Sequence, residues 1–162
     1  MVKKVYVSDE IYIKNSDIQL KDLATKNIMT IALNKDSNVT ASTWTKLTNV
    51  RLHNSIGNKL KFSNNSIAIG DGVSKVLVSG TCRAIKETTN KKICQFSIGR
   101  TVSESVQLIN SASTDVNISI SPILFDVKKN DEFKMQIANN GDFQVAGATN
   151  GLLTYMTVEV VE

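Results

Sequence analysis

From about Trp44 to the C-terminus, apolar and polar residues alternate with period two, and turn-forming residues interrupt the alternation roughly every 8 to 12 residues. Successive side chains of a strand point to opposite faces, so each run predicts a strand with one buried and one solvated side. The clearest run is Lys75 to Ile85. Val76, Val78, Gly80, Cys82 and Ala84 share one face, and Leu77, Ser79, Thr81, Arg83 and Ile85 share the other. After the polar stretch from Glu87 to Asn90 comes Ile93 to Ile98, with Cys94, Phe96 and Ile98 inward, which predicts a hairpin with the preceding run. Further strands are expected at 105–109, 117–127, 133–138, 143–146 and 152–161. Parity shifts at Ser121–Pro122, from Ile118 and Ile120 to Ile123, Phe125 and Val127. That predicts a bulge, and proline there favours a sheet edge, where a missing N–H costs least. Asp71–Gly72, Asn140–Gly141 and Asn150–Gly151 supply residues that tolerate positive φ at tight turns. The pattern predicts an all-β, antiparallel sandwich or barrel.

The first forty residues read differently. Val5–Val7 and Ile11–Ile13 are short strand candidates, and Leu20, Leu23, Ala24, Asn27, Ile28, Ile31 and Ala32 then recur at helical spacing, with Asp17 placed to cap. Residues 27–33 read equally well as another strand, so a short helix and a strand both stand for 20–33. Asn34 to Asn38 reads as a linker. The expected division is an N-terminal anchor or stalk over 1–40 and a head domain over 41–162.

Composition supports strands. Ile, Val and Thr supply 46 of the 162 residues, and β-branched side chains pack well on pleated surfaces. With 41% apolar and 21% charged residues the chain has the make-up of one globular domain with a short appendage. No apolar run approaches the roughly 18 residues a membrane span needs, so membrane insertion is not expected. The opening Met1 to Glu10 lacks the apolar core of a secretory signal, and no signal peptide is expected. One histidine, two cysteines and one proline leave few ways to build a triad, a zinc site or a tuned imidazole, so the inventory argues against an enzyme and implies no cofactor. Cys82 and Cys94 both fall on the apolar parity of their runs; buried thiols are preferred over a cross-strand disulfide with its demanding geometry.

Charge is segregated beneath the net +4. Residues 44–100 carry ten Lys or Arg against two acids, and residues 101–162 carry three Lys against eight acids. Complementary patches of this kind would help fix a head-to-tail interface, unless strand order mixes the signs. Nucleic-acid binding needs a basic surface with stacking aromatics; aromatics are only 6% and the basic residues are scattered, so it is not expected.

The stretch from Phe62 to Gly80, with Phe and Asn on a strand, an Ile before an Asp–Gly turn and a following Leu-Val-Ser-Gly strand, resembles the globular head of the first complement component and the tumour-necrosis-factor superfamily. Asp126 to Ile137 is similar to that family's turn with an acidic tip before an alternating strand, and Gly151 to Tyr155 to its closing strand. The resemblance covers roughly Trp44 to Val161. It implies a jelly roll that assembles as a homotrimer through one flat sheet face and sits on a stalk. Collagen-like repeats are absent, and Val73 follows the Asp–Gly turn where many relatives have an aromatic. A compact head on a short anchor without an export signal looks more like bacteriophage head fibres, capsid decorations or receptor-binding tail tips than secreted hormones.

Trp44 reads as a sugar-stacking platform or, more often for a lone strand tryptophan, as a core or subunit-interface residue. Leu153 and Tyr155 share one parity of the closing strand, opposite Leu152, Met156, Val158 and Val160; in such a trimer they would face the threefold axis. His53 has no evident catalytic partner. Asp126, Asp131, Glu132 and Asp142 lack the close spacing of a calcium loop and read as solvated turn carboxylates. The expected function is a non-enzymatic virion structural protein, a trimeric head decorating a capsid or tail. Capsid or tail proteins would hold the N-terminal segment, and host surface glycans would be the adhesion target. A stand-alone carbohydrate-binding module or bacterial adhesin is the alternative.

Overall fold

A computed structural model describes residues 26–39, 45–85, 94–100, 106–108, 116–139 and 143–162. The strands are β1 (Ile28–Leu33), β2 (Ser37–Val39), β3 (Thr45–Lys46), β4 (Val50–Ile56), β5 (Leu60–Ser63), β6 (Ser66–Ile69), β7 (Lys75–Ile85), β8 (Cys94–Arg100), β9 (Val106–Leu108), β10 (Val116–Asp126), β11 (Glu132–Asn139), β12 (Phe143–Val145) and β13 (Tyr155–Val160). They form two antiparallel sheets. The seven-stranded sheet runs β2-β12-β7-β13-β1-β4, with β10 on the other side of β7; the six-stranded sheet runs β5-β6-β11-β8-β9, with β3 also on β11. Two such sheets packed face to face make the expected jelly-roll sandwich.

β7 forms where the period-two run predicts it, with inward residues buried and Leu77, Ser79, Thr81 and Ile85 half-buried outward. From the seven-stranded sheet Met29, Ile31, Leu33, Val76, Val78, Ile118, Met156 and Val158 meet Leu60, Ile67, Ile69, Phe133, Met135 and Ile137 of the other sheet. Phe133 is fully buried at the centre, with the Phe125 ring edge-on at 5.3 Å. The bulge at Ser121–Pro122 is present: β10 shifts register against β7 between Ile120 and Ile123, and β10 lies at a sheet edge.

Three expectations need correction. β1 is a strand paired on both sides, to β13 and to β4, so residues 28–39 belong to the sandwich and the head begins well before residue 40. The helical alternative fails over 28–33; residues 20–25 lie outside the described residues. β7 and β8 are not a hairpin, because β7 pairs with β10, β12 and β13 while β8 pairs with β11 and β9 in the opposite sheet. Cys82 is accordingly buried opposite Ile118 and Cys94 stands opposite Asn139, so the two cysteines are not cross-strand partners. At the start of the closing strand, Thr154 rather than Leu152 is buried. Its hydroxyl accepts the Arg83 N–H at 3.1 Å, and Leu152 is exposed.

Asparagine supplies much of the turn chemistry. Asn64 and Asn65 both have positive φ in the tight β5–β6 turn, as a type I′ hairpin requires. Gly57, at φ 78°, follows β4, and a Cβ there would stand 2.1 Å from the Asn27 side-chain oxygen. That oxygen accepts the Asn58 and Lys59 N–H groups, each at 3.0 Å, and ties the end of β4 to the start of β1.

Candidate functional site

Among the described residues the charged side chains form separate surface pairs. Among the described residues no group of three or more His, Cys, Asp or Glu could hold a metal ion. The Lys129 ammonium, hydrogen-bonded to Asp71 at 2.8 Å, holds that carboxyl below its ordinary range, with Lys61 and Lys59 adding to the effect. Glu162 pairs with Lys75 and holds its ammonium above the usual value. Both pairs are exposed surface contacts near the pole where the chain enters β1 and leaves β13. An open cleft of about 900 Å³ lies at that pole between Lys26, Lys59, Leu77, Glu159 and Glu162. Its charges are mixed in sign and it contains no nucleophile paired with a base.

The feature with the most organised surface is the outward face of the seven-stranded sheet. Register places Ile28 opposite Glu159, Glu159 opposite Leu77, and Leu77 opposite Leu124; Ile56 stands beside Ile28. The result is an apolar row across five strands with one carboxylate in it. The next row is polar, with Asn54, Thr30, Thr157 and Ser79. Thr30 and Thr157 share a hydroxyl hydrogen bond of 2.9 Å, and Thr30 is buried between its neighbours. Beyond it Ala32, Tyr155, Thr81 and Ser119 form a third row, in which Thr81 and Ser119 hydroxyls lie 3.2 Å apart. Apart from Tyr155, and Arg51 beside Ala32, the side chains of these two rows are small and uncharged.

Towards the far end of this face, the loop after β12 is tied down by Arg51 and by Asp36, whose carboxylate accepts the Gly147 N–H at 2.9 Å. Arg51 donates to Ala148 O at 3.1 and 3.3 Å and to Gly151 O at 2.9 Å, and its remaining nitrogen lies 3.1 Å from His53 Nδ1. His53 is the extra residue of a bulge, because Thr30 pairs with Asn54 and Ile31 with Leu52. It thus has a structural hydrogen-bond neighbour.

Tyr155 is half-buried in the third row, on the face predicted for it, and Leu153 is half-buried just before β13. Trp44 lies outside the described residues. Asp126 and Glu132 end β10 and begin β11, while Asp131 is buried and accepts the Lys128 N–H at 2.9 Å, which makes it a turn residue; Asp142 lies outside the described residues. Sequence reasoning did not single out Ile28, Ile56, Leu77 and Leu124, since the row emerges only when register between four strand pairs is known.

No protein-family model matches the chain, and no curated protein does. Solved structures do. The crystal structure of murine APRIL superposes with a TM-score of 0.64 at 12% identity, covering 85% of this chain and 100% of that one. The structure of Eiger TNF from S. frugiperda gives 0.57 at 10% identity, over 85% and 92% of the two chains. The vertex protein P5 of PRD1 gives 0.58 at 16% identity, over 84% and 97%. The likeness shows the fold, a tumour-necrosis-factor-type jelly roll, and at these identities it shows nothing further.

Proposed function

We propose that this protein is a non-enzymatic structural protein of a virion, a homotrimeric jelly-roll head exposed on a capsid or tail. The observation that carries the reading is the outward face of the seven-stranded sheet. Five strands about 4.8 Å apart and some 20 Å long present a footprint on the order of 500 Å² before loops are added, which approaches one side of a specific interface. Leu124 and Ile56 are 54% and 46% exposed there in a single subunit, and a second copy of the chain would remove them from water. The virion assignment is supported by the fold shared with a vertex protein, and by a sequence inventory poor in catalytic groups. On this reading the segment before Lys26 attaches the head to capsid or tail proteins. Three weak sites on the exposed pole would then bind host surface glycans by simultaneous engagement.

The test is a substitution at the centre of the face. Thr157→Arg introduces a long cation between Thr30 and Ser79. Sedimentation should show the native chain as a trimer and the variant as a folded monomer with an unchanged circular dichroism spectrum. A variant that remains trimeric refutes the face as the assembly surface. Glycan-array binding by the native chain, lost in the monomer, would support adhesion; no binding on any glycan refutes that part.

A further inference from the structure

At the pole opposite Lys26 the seven-stranded sheet carries a different surface. Beyond the row of Tyr155, Thr81 and Ser119, the next outward position of β7 is Arg83, which stands opposite Asn117 on β10. The outward position after that, Ile85, stands opposite Gln144 on β12, and Gln144 stands opposite Asn38 on β2. Arg83, Asn117 and Asn38 are exposed and Gln144 is half-buried, and the Gln144 amide nitrogen donates to the Asn38 side-chain oxygen at 3.3 Å. At the usual strand spacing, the patch from β10 through β7 and β12 to β2 spans about 14 Å. The residues that alternate with it, Val39, Cys82, Ala84, Ile118 and Val145, are at most 4% exposed. The Thr154 hydroxyl accepts the Arg83 N–H, and the Arg83 carbonyl accepts the Ala146 N–H. These polar side chains therefore stand on a rigid sheet rather than on loops.

The groups on this patch match one kind of ligand. Arg51 and Arg83 are the arginines of the seven-stranded sheet, and Arg51 has its guanidinium committed to the Ala148 and Gly151 carbonyls and to His53. Arg83 belongs to neither of the ion pairs found among the described residues. A planar guanidinium presents parallel N–H donors that fit a carboxylate. The Asn38 amino group and the Gln144 carbonyl take no part in the bond that joins their side chains, so a donor and an acceptor stand side by side, as sugar hydroxyls require. Asn117 adds another amide. We infer that this patch binds an acidic sugar, with Arg83 on its carboxylate and the amides of Asn117, Gln144 and Asn38 on its hydroxyl groups. This rests on the glycan adhesion put forward above and adds the charge of the glycan and the residues that hold it. A neutral sugar leaves the cation without its partner, so the charge-assisted bond selects acidic glycans.

The experiment is a titration of the full chain with sialyllactose, a galacturonate trisaccharide and lactose, followed by nuclear magnetic resonance. Sialyllactose or the galacturonate should bind, which tells a sialylated surface from a uronate polymer, and lactose should bind about tenfold more weakly or not at all. Arg83→Gln should weaken binding of the acidic sugar about ten- to hundredfold without changing the mass of the chain in sedimentation. Arg83→Lys should recover only part of the loss, because an ammonium cannot make the paired contact. Gln144→Ala serves if the Arg83 variants impair folding, and should weaken binding about two- to tenfold. An acidic sugar held equally well by Arg83→Gln overturns the patch and leaves adhesion standing, and lactose bound as tightly as the acidic sugars overturns the selection by charge. A chain that binds none of the three, and nothing on a glycan array, overturns both this site and the adhesion it rests on.

Discussion

Removing residues 1–25 should leave a cooperatively folding head, whereas removing residues 1–39 should abolish folding. The longer deletion takes out β1, which lies between β13 and β4 and hydrogen-bonds to both. It also takes out β2. Met29, Ile31, Leu33 and Val39 are at most 3% exposed. At about 1.5–3 kcal/mol for each fully buried side chain, their loss removes about 6–12 kcal/mol of burial. A domain of this kind has a total stability of about 5–15 kcal/mol, so little or none remains. The cut also leaves β13 and β4 without their shared partner, each with a row of N–H and C=O groups that the edge would have to hide. Urea titration followed by far-ultraviolet circular dichroism distinguishes the outcomes. The shorter chain should show a single transition near that of the full chain, and the longer deletion should show none. A head beginning at residue 40 that unfolds cooperatively would refute the assignment of β1 to the core.

Other perturbations probe separate parts of the account. Phe133→Ala empties the centre of the core and removes the edge-on contact with Phe125, so it should cost about 3–5 kcal/mol in urea denaturation; a loss below about 1 kcal/mol would mean the sheets do not meet there. Gly57→Ala forces a Cβ onto the Asn27 carboxamide at positive φ, and should lower stability by about 1–3 kcal/mol; no measurable change would contradict the turn geometry. Asp71 is held below its ordinary range by Lys129, so its contribution is present at neutral pH and is lost as pH falls through the depressed value. Stability between pH 5 and pH 2 should therefore fall slightly less in Asp71→Asn than in the native chain, and identical profiles would remove the pair from the account.

How far the fold could be read in the chain depended on whether each strand had one wet face. β7 alternates because its inward residues are covered by the other sheet while Leu77, Ser79, Thr81 and Ile85 stay half-exposed, and its limits match the period-two run. β1 has no such contrast. Thr30 is flanked by Asn54 and Thr157, and Ala32 lies between Tyr155 and Arg51, so nearly the whole strand is buried and its apolar residues match a helical repeat as well as a strand. The false hairpin has a different origin. Two alternating runs separated by a short polar connector fit a hairpin locally, but a jelly roll uses such a connector to pass from one sheet to the other, and nothing in the local pattern distinguishes the two. The candidate surface was partly visible: the parity of Tyr155 placed it on the outward face. The apolar row depends on register between strands far apart in sequence, which alternation within one strand does not encode.

The central claim is that three copies close around the outward face. Light scattering of the purified full chain with in-line chromatography tests it most directly. The account predicts a mass about three times 17.7 kDa, unchanged by a chelator. A single species at the mass of one chain, held across the accessible concentration range, would contradict it.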